Sequence, residues 1–219
     1  MRISRWHANF EGRCTQPLAV LSAAALLLDA PPVHGYNRHL SESDVREAYL
    51  FGQRHDQSVG RFFDPYETKI PGRSSEPHVR AIGVRTPYSS AVLRSYKGGN
   101  TYSAQRAQTD YGAKADVFEV VVWIDIPVAY ALSPQDQLTG PTALLKELNV
   151  ELSQDQRIAP LKATVPPVFE RGGDTGTVSG AELHFEYDVR DVTSAPARVQ
   201  VTGPDGQGVS ATFDLGNLR

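Results

Sequence analysis

The sequence predicts an α+β fold that is mainly β, with an antiparallel, β-sandwich-like C-terminal half and helices in the N-terminal half. Three observations support this prediction. Segment 116–126, DVFEVVVWIDI, alternates apolar side chains with period two. Strand patterns close the chain at 182–192, 198–202 and 209–215, with a Gly-Pro-Asp-Gly turn before the last. Helical patterns concentrate in the first half, which argues against a regular alternation of strands and helices.

Residues 1–35 have the order of a secretory signal peptide. Three arginines precede an uncharged apolar run, Leu18 to Leu28, which at about 1.5 Å per residue covers roughly half of a bilayer core. Cleavage is expected after Gly35, with Ala30 as the alternative. We therefore expect an exported protein, periplasmic or extracellular, with no stable membrane span after signal removal. A soluble amphipathic N-terminus is the other interpretation.

Composition limits the function classes. Cys14 is the only cysteine, and it precedes the apolar run, so neither a lipoprotein anchor nor a disulfide is expected. The net charge of −3 lacks the basic footprint of a nucleic-acid-binding protein. We expect one compact domain over 36–219, in which a helical and mixed region, 36–115, packs on a β-rich region, 116–219.

Helix signals come first along the mature chain. Ser41, with an acidic residue three positions later, predicts the start of a helix that runs to about Arg54. Segment 61–66, RFFDPY, is expected to be a loop or short turn because proline interrupts regular structure. Segment 88–96 fits either a helix or a strand, and 102–111 favours a helix.

Strand signals begin at His78 to Arg85 and recur after residue 116. Apolar alternation predicts strands near 148–152 and 161–165. A polar loop is expected at 133–142, followed by a short helix at 143–148. The glycine-rich segment 171–180, RGGDTGTVSG, is expected to be a flexible loop.

The sharpest candidate for chemistry is the predicted strand that contains Glu182, His184 and Glu186 on one face. An imidazole flanked by carboxylates suits a metal site, or a general base that a carboxylate orients. Further ligands would have to come from elsewhere, such as His78 or Asp125. The alternative interpretation is the solvated face of a half-buried strand.

Aromatic and arginine side chains are interleaved in the first half. Phe62, Phe63, Tyr66, Arg80 and Arg85 are the candidate ligand-binding residues, since aromatic faces and guanidinium groups suit glycans, peptides or anionic ligands. The alternative is packing of these side chains between helices and the sheet.

No short motif of a known active site occurs in the sequence. We therefore expect an exported, non-catalytic binding or assembly module for a protein, peptide or glycan, with no cofactor, no metal and no nucleic acid. The first alternative is a metal-dependent or acid/base hydrolase that uses the His184 strand. The second is a structural subunit of an envelope or extracellular assembly, joined through sheet edges.

Overall fold

Capping side chains set the starts of the helices. The Ser41 hydroxyl accepts a hydrogen bond from the Asp44 amide, and the Asp44 carboxylate accepts one from the Ser41 amide. Thr86 and Ser89 repeat this arrangement before the third helix. The computed structural model describes residues 36–72, 77–113, 116–126, 147–170, 177–203 and 206–219. Within them the helices are α1 Glu42–Gly52, α2 Gln57–Phe63, α3 Pro87–Gly98 and α4 Ala104–Gly112.

The helices confirm two predictions, resolve an ambiguity and correct one expectation. The predicted first and last helices correspond to α1 and α4, and segment 88–96 lies within α3. Segment 61–66, expected to be a loop or short turn, does contain the short 3-10 turn Asp64–Tyr66, but its first residues are the end of α2 rather than a loop. Pro65 is tolerated because it occupies the first turn, where a backbone N–H has no partner within the helix.

The strands form two antiparallel sheets. Sheet A has the order β1-β2-β3-β8-β6, with β7 also paired to β8, and sheet B has the order β10-β9-β4-β5. The bounds are β1 Glu67–Lys69, β2 His78–Arg85, β3 Val117–Asp125, β4 Asn149–Ser153, β5 Arg157–Ile158, β6 Lys162–Thr164, β7 Pro167–Glu170, β8 Thr177–Asp188, β9 Ala197–Thr202 and β10 Gly208–Phe213. The α+β, mainly β fold with an antiparallel C-terminal half is thereby confirmed.

The glycine-rich segment is corrected in part. Its last four residues, 177–180, belong to β8, where Gly180 lies opposite Asp125 of β3. A side chain on Gly180 would place its Cβ 2.5 Å from the carbonyl oxygen of Ile124, so glycine permits close pairing of the two strands. The predicted signal segment 1–35, the loop at 133–142 and most of the helix at 143–148 lie outside the described residues.

The two sheets share one hydrophobic core. Alternation directs Phe118, Val120 and Val122 of β3 inward, together with Leu183 and Phe185 of β8. Sheet B contributes Leu152, Val199, Val201 and Phe213. The same alternation places the polar side chains of β3 and β8 on the opposite, outer face of sheet A.

The helices have their own core, made by Val45, Ala48, Val59, Tyr88, Val92 and Ala107. Thr86 joins the end of β2 directly to the start of α3, so the helices stand beside one end of the outer face of sheet A. Among the described helices, none has the length and apolar composition needed to cross a membrane.

Candidate functional site

Four charged side chains from three neighbouring strands meet on the outer face of sheet A. The Nδ1 atom of His184 lies 2.7 Å from Oε1 of Glu119, and its Nε2 atom lies 3.3 Å from Oε2 of Glu182. The Arg85 guanidinium donates to Oε2 of Glu119 at 3.0 Å. The side chains of Arg85, Glu119 and His184 are each less than one-fifth exposed. We call Arg85, Glu119, Glu182 and His184 the charge cluster.

Strand register explains why these side chains meet. Glu119 lies directly opposite Arg85 of β2, and the His184 position lies opposite Val121 of β3. Glu119 and His184 are therefore diagonal neighbours on one face, within reach of long side chains. The Trp123 ring lies over Gly83, where an added Cβ would be 2.7 Å from the ring, and the Arg85 guanidinium lies 5.9 Å from the ring centre.

The carboxylates keep the imidazole charged. Burial, the largest influence, favours neutral His184, but the hydrogen bonds to Glu119 and Glu182 outweigh it and raise the pKa of His184 to about 9. The bond from His184 is the main reason that the pKa of Glu182 is lowered to about 2. For Glu119, burial raises the pKa, yet His184 and Arg85 together hold it below its ordinary value.

This protonation state decides what His184 can do. A doubly protonated imidazole donates from both nitrogens and has no lone pair for a proton or a metal ion. In the part of the chain that the structure describes, no group of three or more His, Cys, Asp or Glu side chains is arranged to hold a metal ion. The charge cluster therefore engages both ring nitrogens of His184 within the outer face of the sheet.

The residues considered as further ligands lie elsewhere. His78 and Asp125 face each other across β2 and β3. Val121 of β3 lies opposite His184, and Asp125 is four residues further along the same strand. Four residues of a strand span about 13 Å, so Asp125 is distant from His184. The structure thus brings His184 together with Glu182, but not with His78 or Asp125.

A cavity of about 500 Å³ opens where α3 and α4 stand beside the outer face. Its walls include Pro87, Ala91 and Lys97 of α3, Tyr102 before α4, and Glu119 and Glu186 on the strands. Both its size and its mixture of apolar walls with a few polar groups are typical of small-molecule sites. We call this space the helix–sheet cavity.

Three of the charged residues that line the cavity, Arg85, Asp116 and Glu119, already have partners. Arg85 and Glu119 neutralise each other at 3.0 Å. The Asp116 carboxylate lies 2.5 Å from Nδ1 of His39 and accepts a hydrogen bond from the Tyr111 hydroxyl. These bonds fix the rim of the cavity in one arrangement.

The predicted ligand-binding residues are distributed over different places. Phe62 and Phe63 are partly buried and pack edge-to-face, 5.0 Å between ring centres. Tyr66 is 3% exposed, and its hydroxyl donates to the Arg219 carbonyl at 2.8 Å. Arg80 lies 3.5 Å from Asp125 at the far end of β2. Of the five residues, the structure places Arg85 at the cavity.

Sequence reasoning includes Arg94 among the arginines interleaved with aromatic residues of the first half, but it misses Lys97 and the other residues of α3 that line the cavity. Arg94 and Lys97 fall in or just after segment 88–96, whose pattern fits two structures, so no face could be assigned to them. The sequence places Glu119 on the mixed face of its predicted strand. However, the residue pattern of one strand does not show which residues of the neighbouring strands, here Arg85 and His184, lie beside Glu119.

Comparison of the chain with models of protein families, with curated proteins and with solved structures finds no match. Function is therefore argued from the site itself.

Proposed function

We propose that this protein is a non-catalytic binding module whose ligand is a small molecule, or the end of a peptide or glycan, held in the helix–sheet cavity. The observation that carries the proposal is the cavity of about 500 Å³ between α3, α4 and the outer face of sheet A. Its apolar walls would desolvate the body of a ligand, while its polar groups would orient it. His184 does not line this cavity, and Glu119 and Glu182 engage both of its ring nitrogens, so the imidazole would not act on a ligand held there.

A cavity-filling substitution tests this proposal. Ala91 lines the cavity on α3, so Ala91→Trp should abolish the binding of small molecules that ligand-observed NMR detects with the full chain. Gln108→Trp is the matched control, since Gln108 is exposed on α4 and does not line the cavity. A milder second variant, Ser90→Leu, also alters the lining of the cavity and should weaken binding.

Two results would contradict the binding proposal. One is the absence of any bound compound from a library that contains neutral, anionic, cationic and zwitterionic members. The other is equal binding by the Ala91→Trp and Gln108→Trp proteins, with both confirmed as folded by circular dichroism.

We further propose that the protein is exported and matures by cleavage after Gly35. Support comes from the short apolar run that follows the arginine-rich start, and from small Gly35 before the cut with compact Val33 two places earlier. Expression of the full sequence with secretion should give a chain that begins at Tyr36, as read by N-terminal sequencing and intact mass. The substitution Gly35→Pro should block cleavage there. A secreted chain that retains Met1, or a chain that stays in the cytoplasm, would contradict the proposal.

A further inference from the structure

Two charged side chains at the helix–sheet cavity have no charged partner among the residues that the structure describes. Lys97 on α3 and Glu186 on β8 both line this cavity. Neither forms an ion pair within 4.0 Å, or a side-chain hydrogen bond, with another of the described residues. By contrast, Arg85, Asp116 and Glu119 at the same cavity are all engaged.

The two unpaired charges have opposite sign and belong to opposite walls. Arg94 lies three residues before Lys97, also lines the cavity, and adds a second positive charge to the same face of α3. On the sheet side, Glu186 lies directly opposite Glu119 across β3 and β8. On its other side, Glu186 lies opposite Lys162 of β6, with which it forms no ion pair within 4.0 Å. Since Arg85 and Glu119 neutralise each other, the unpaired charge that lines the cavity is positive on the helical wall and negative, through Glu186, on the sheet wall.

The space between these walls is largely apolar. Pro87 and Ala91 of α3 and the Tyr102 ring form part of the lining. Such a surface favours a hydrocarbon or aromatic body over bulk water. A ligand with only one charge would pair with one wall and leave the charge on the other wall to water, whereas a ligand with both charges would pair with both walls.

We propose that the ligand of the cavity is a zwitterion: an anionic group that pairs with Lys97 and Arg94, a cationic group that pairs with Glu186, and an apolar body between them. Amino acids with a separated amine and carboxylate, and the termini of short peptides, have this chemistry. This inference rests on the proposed binding function, and it specifies the chemical class of the ligand.

The test compares three probes of equal length on the full chain: 6-aminohexanoate, hexanoate and hexylammonium. The zwitterion should bind about tenfold more tightly than either singly charged analogue, as expected when one charge-assisted contact is lost. A length series from 4-aminobutanoate to 8-aminooctanoate should show an affinity optimum, because the two walls have a fixed separation. Isothermal titration measures each affinity.

Variants assign the binding to the two walls. Lys97→Met and Glu186→Gln should each weaken 6-aminohexanoate binding about tenfold, whereas Arg46→Met, which removes an exposed charge of α1 away from the cavity, should not change it. A triple variant that combines Arg94→Glu and Lys97→Glu with Glu186→Lys reverses the polarity of the cavity, so a zwitterion can bind in the opposite direction. This triple variant should recover binding that the reversal of either wall alone loses, a result that a merely structural role would not produce.

The outcomes separate this inference from the proposed function. If hexanoate, hexylammonium or a neutral compound binds as tightly as the zwitterion and Ala91→Trp blocks it, the zwitterion inference fails while the binding function stands. If no probe binds in a manner sensitive to Ala91→Trp, both fail. Binding of 6-aminohexanoate that is unchanged in Lys97→Met and Glu186→Gln would also overturn the inference.

Discussion

At the scale of single residues, the charge cluster makes stability depend on pH at both ends of the range. The pKa of His184 is raised from 6.5 to about 9, so its contribution to stability is complete below pH 6.5 and is lost as the pH rises through 9. The pKa of Glu182 is lowered from 4.5 to about 2, so its contribution is present above pH 4.5 and is lost as the pH falls through 2. These two groups together favour maximal stability between pH 4.5 and 6.5.

Glu119 is the residue on which the charge cluster depends most, because it contacts both His184 and Arg85. We expect Glu119→Gln to lower the free energy of unfolding by about 2 kcal/mol at about pH 6, because it leaves two cations on a largely buried surface without their carboxylate. The pKa of His184 should also fall, which flattens the loss of stability between pH 6.5 and 9. Urea denaturation across this pH range measures both effects.

The matched control is Glu151→Gln. Glu151 forms an ion pair with Arg157 at 3.1 Å, but the Arg157 side chain is 63% exposed, so its loss should change stability little. An unchanged slope with pH in the Glu119→Gln protein would show that the charge cluster does not hold His184 in its charged form.

At the scale of the elements, the crossing of α1 and α3 depends on a small residue. A Cβ on Gly52 would lie 2.5 Å from the Val92 carbonyl oxygen and 2.8 Å from the Ser95 Cβ, so the helices approach too closely for a side chain. The Gln53 amide reinforces the crossing, because it donates to the carbonyl oxygens of Ser95 at 2.9 Å and of Gly99 at 3.1 Å.

We expect Gly52→Ala to destabilise the protein by about 2 kcal/mol, because the methyl group forces the two helices apart. Gly60→Ala provides the control within α2. A Cβ there meets nothing within 4 Å, so this variant should be more stable than the original by about 0.5 kcal/mol or more through helix propensity. Thermal or urea unfolding of both variants tests whether the free energy of unfolding falls for Gly52→Ala and rises for Gly60→Ala. Equal changes in the two variants would contradict the close approach of the helices at Gly52.

Elements differ in how far the sequence alone predicts them. The strict alternation of β3 and the Ser41 cap of α1 are local signals, and both elements were predicted. For segment 61–66, the sequence predicts a loop or short turn because proline interrupts regular structure. In the structure α2 continues to Phe63, and Pro65 lies in the first turn of a 3-10 helix, where proline is tolerated. The cavity could not be predicted, because it depends on where α3 lies relative to β8, and residues 99–176 separate these two elements.

At the scale of the whole molecule, the outer face of sheet A has two regions with different chemistry. Toward Trp123 its charges are paired with one another in the charge cluster. Beside the helices, Lys97 and Glu186 lie across a cavity without such partners among the described residues. The charge cluster thus lies next to the helix–sheet cavity, where Lys97 and Glu186 have no ion pair with another described residue. This arrangement is expected where a ligand supplies the missing partners.

The last residues of the sequence tie the helices to the sheets. Leu215 and Leu218 are buried in the core between the sheets. Arg219 pairs with Glu47 of α1 at 2.7 Å, lies 4.4 Å over the Tyr88 ring of α3, and accepts a hydrogen bond from Tyr66. The hydrogen bonds that Arg219 accepts from Tyr66 and Thr86 join residues more than 130 positions apart.

Protein synthesis proceeds from the N-terminus, so these contacts cannot form until Arg219 has left the ribosomal exit tunnel. Before that moment α1 and α3 have the Gln53 hydrogen bonds but not the contact that Arg219 adds, and the core between the sheets lacks Leu215 and Leu218. Contacts of long sequence separation are slow to form, so we expect the closure of this core to be a late step of folding.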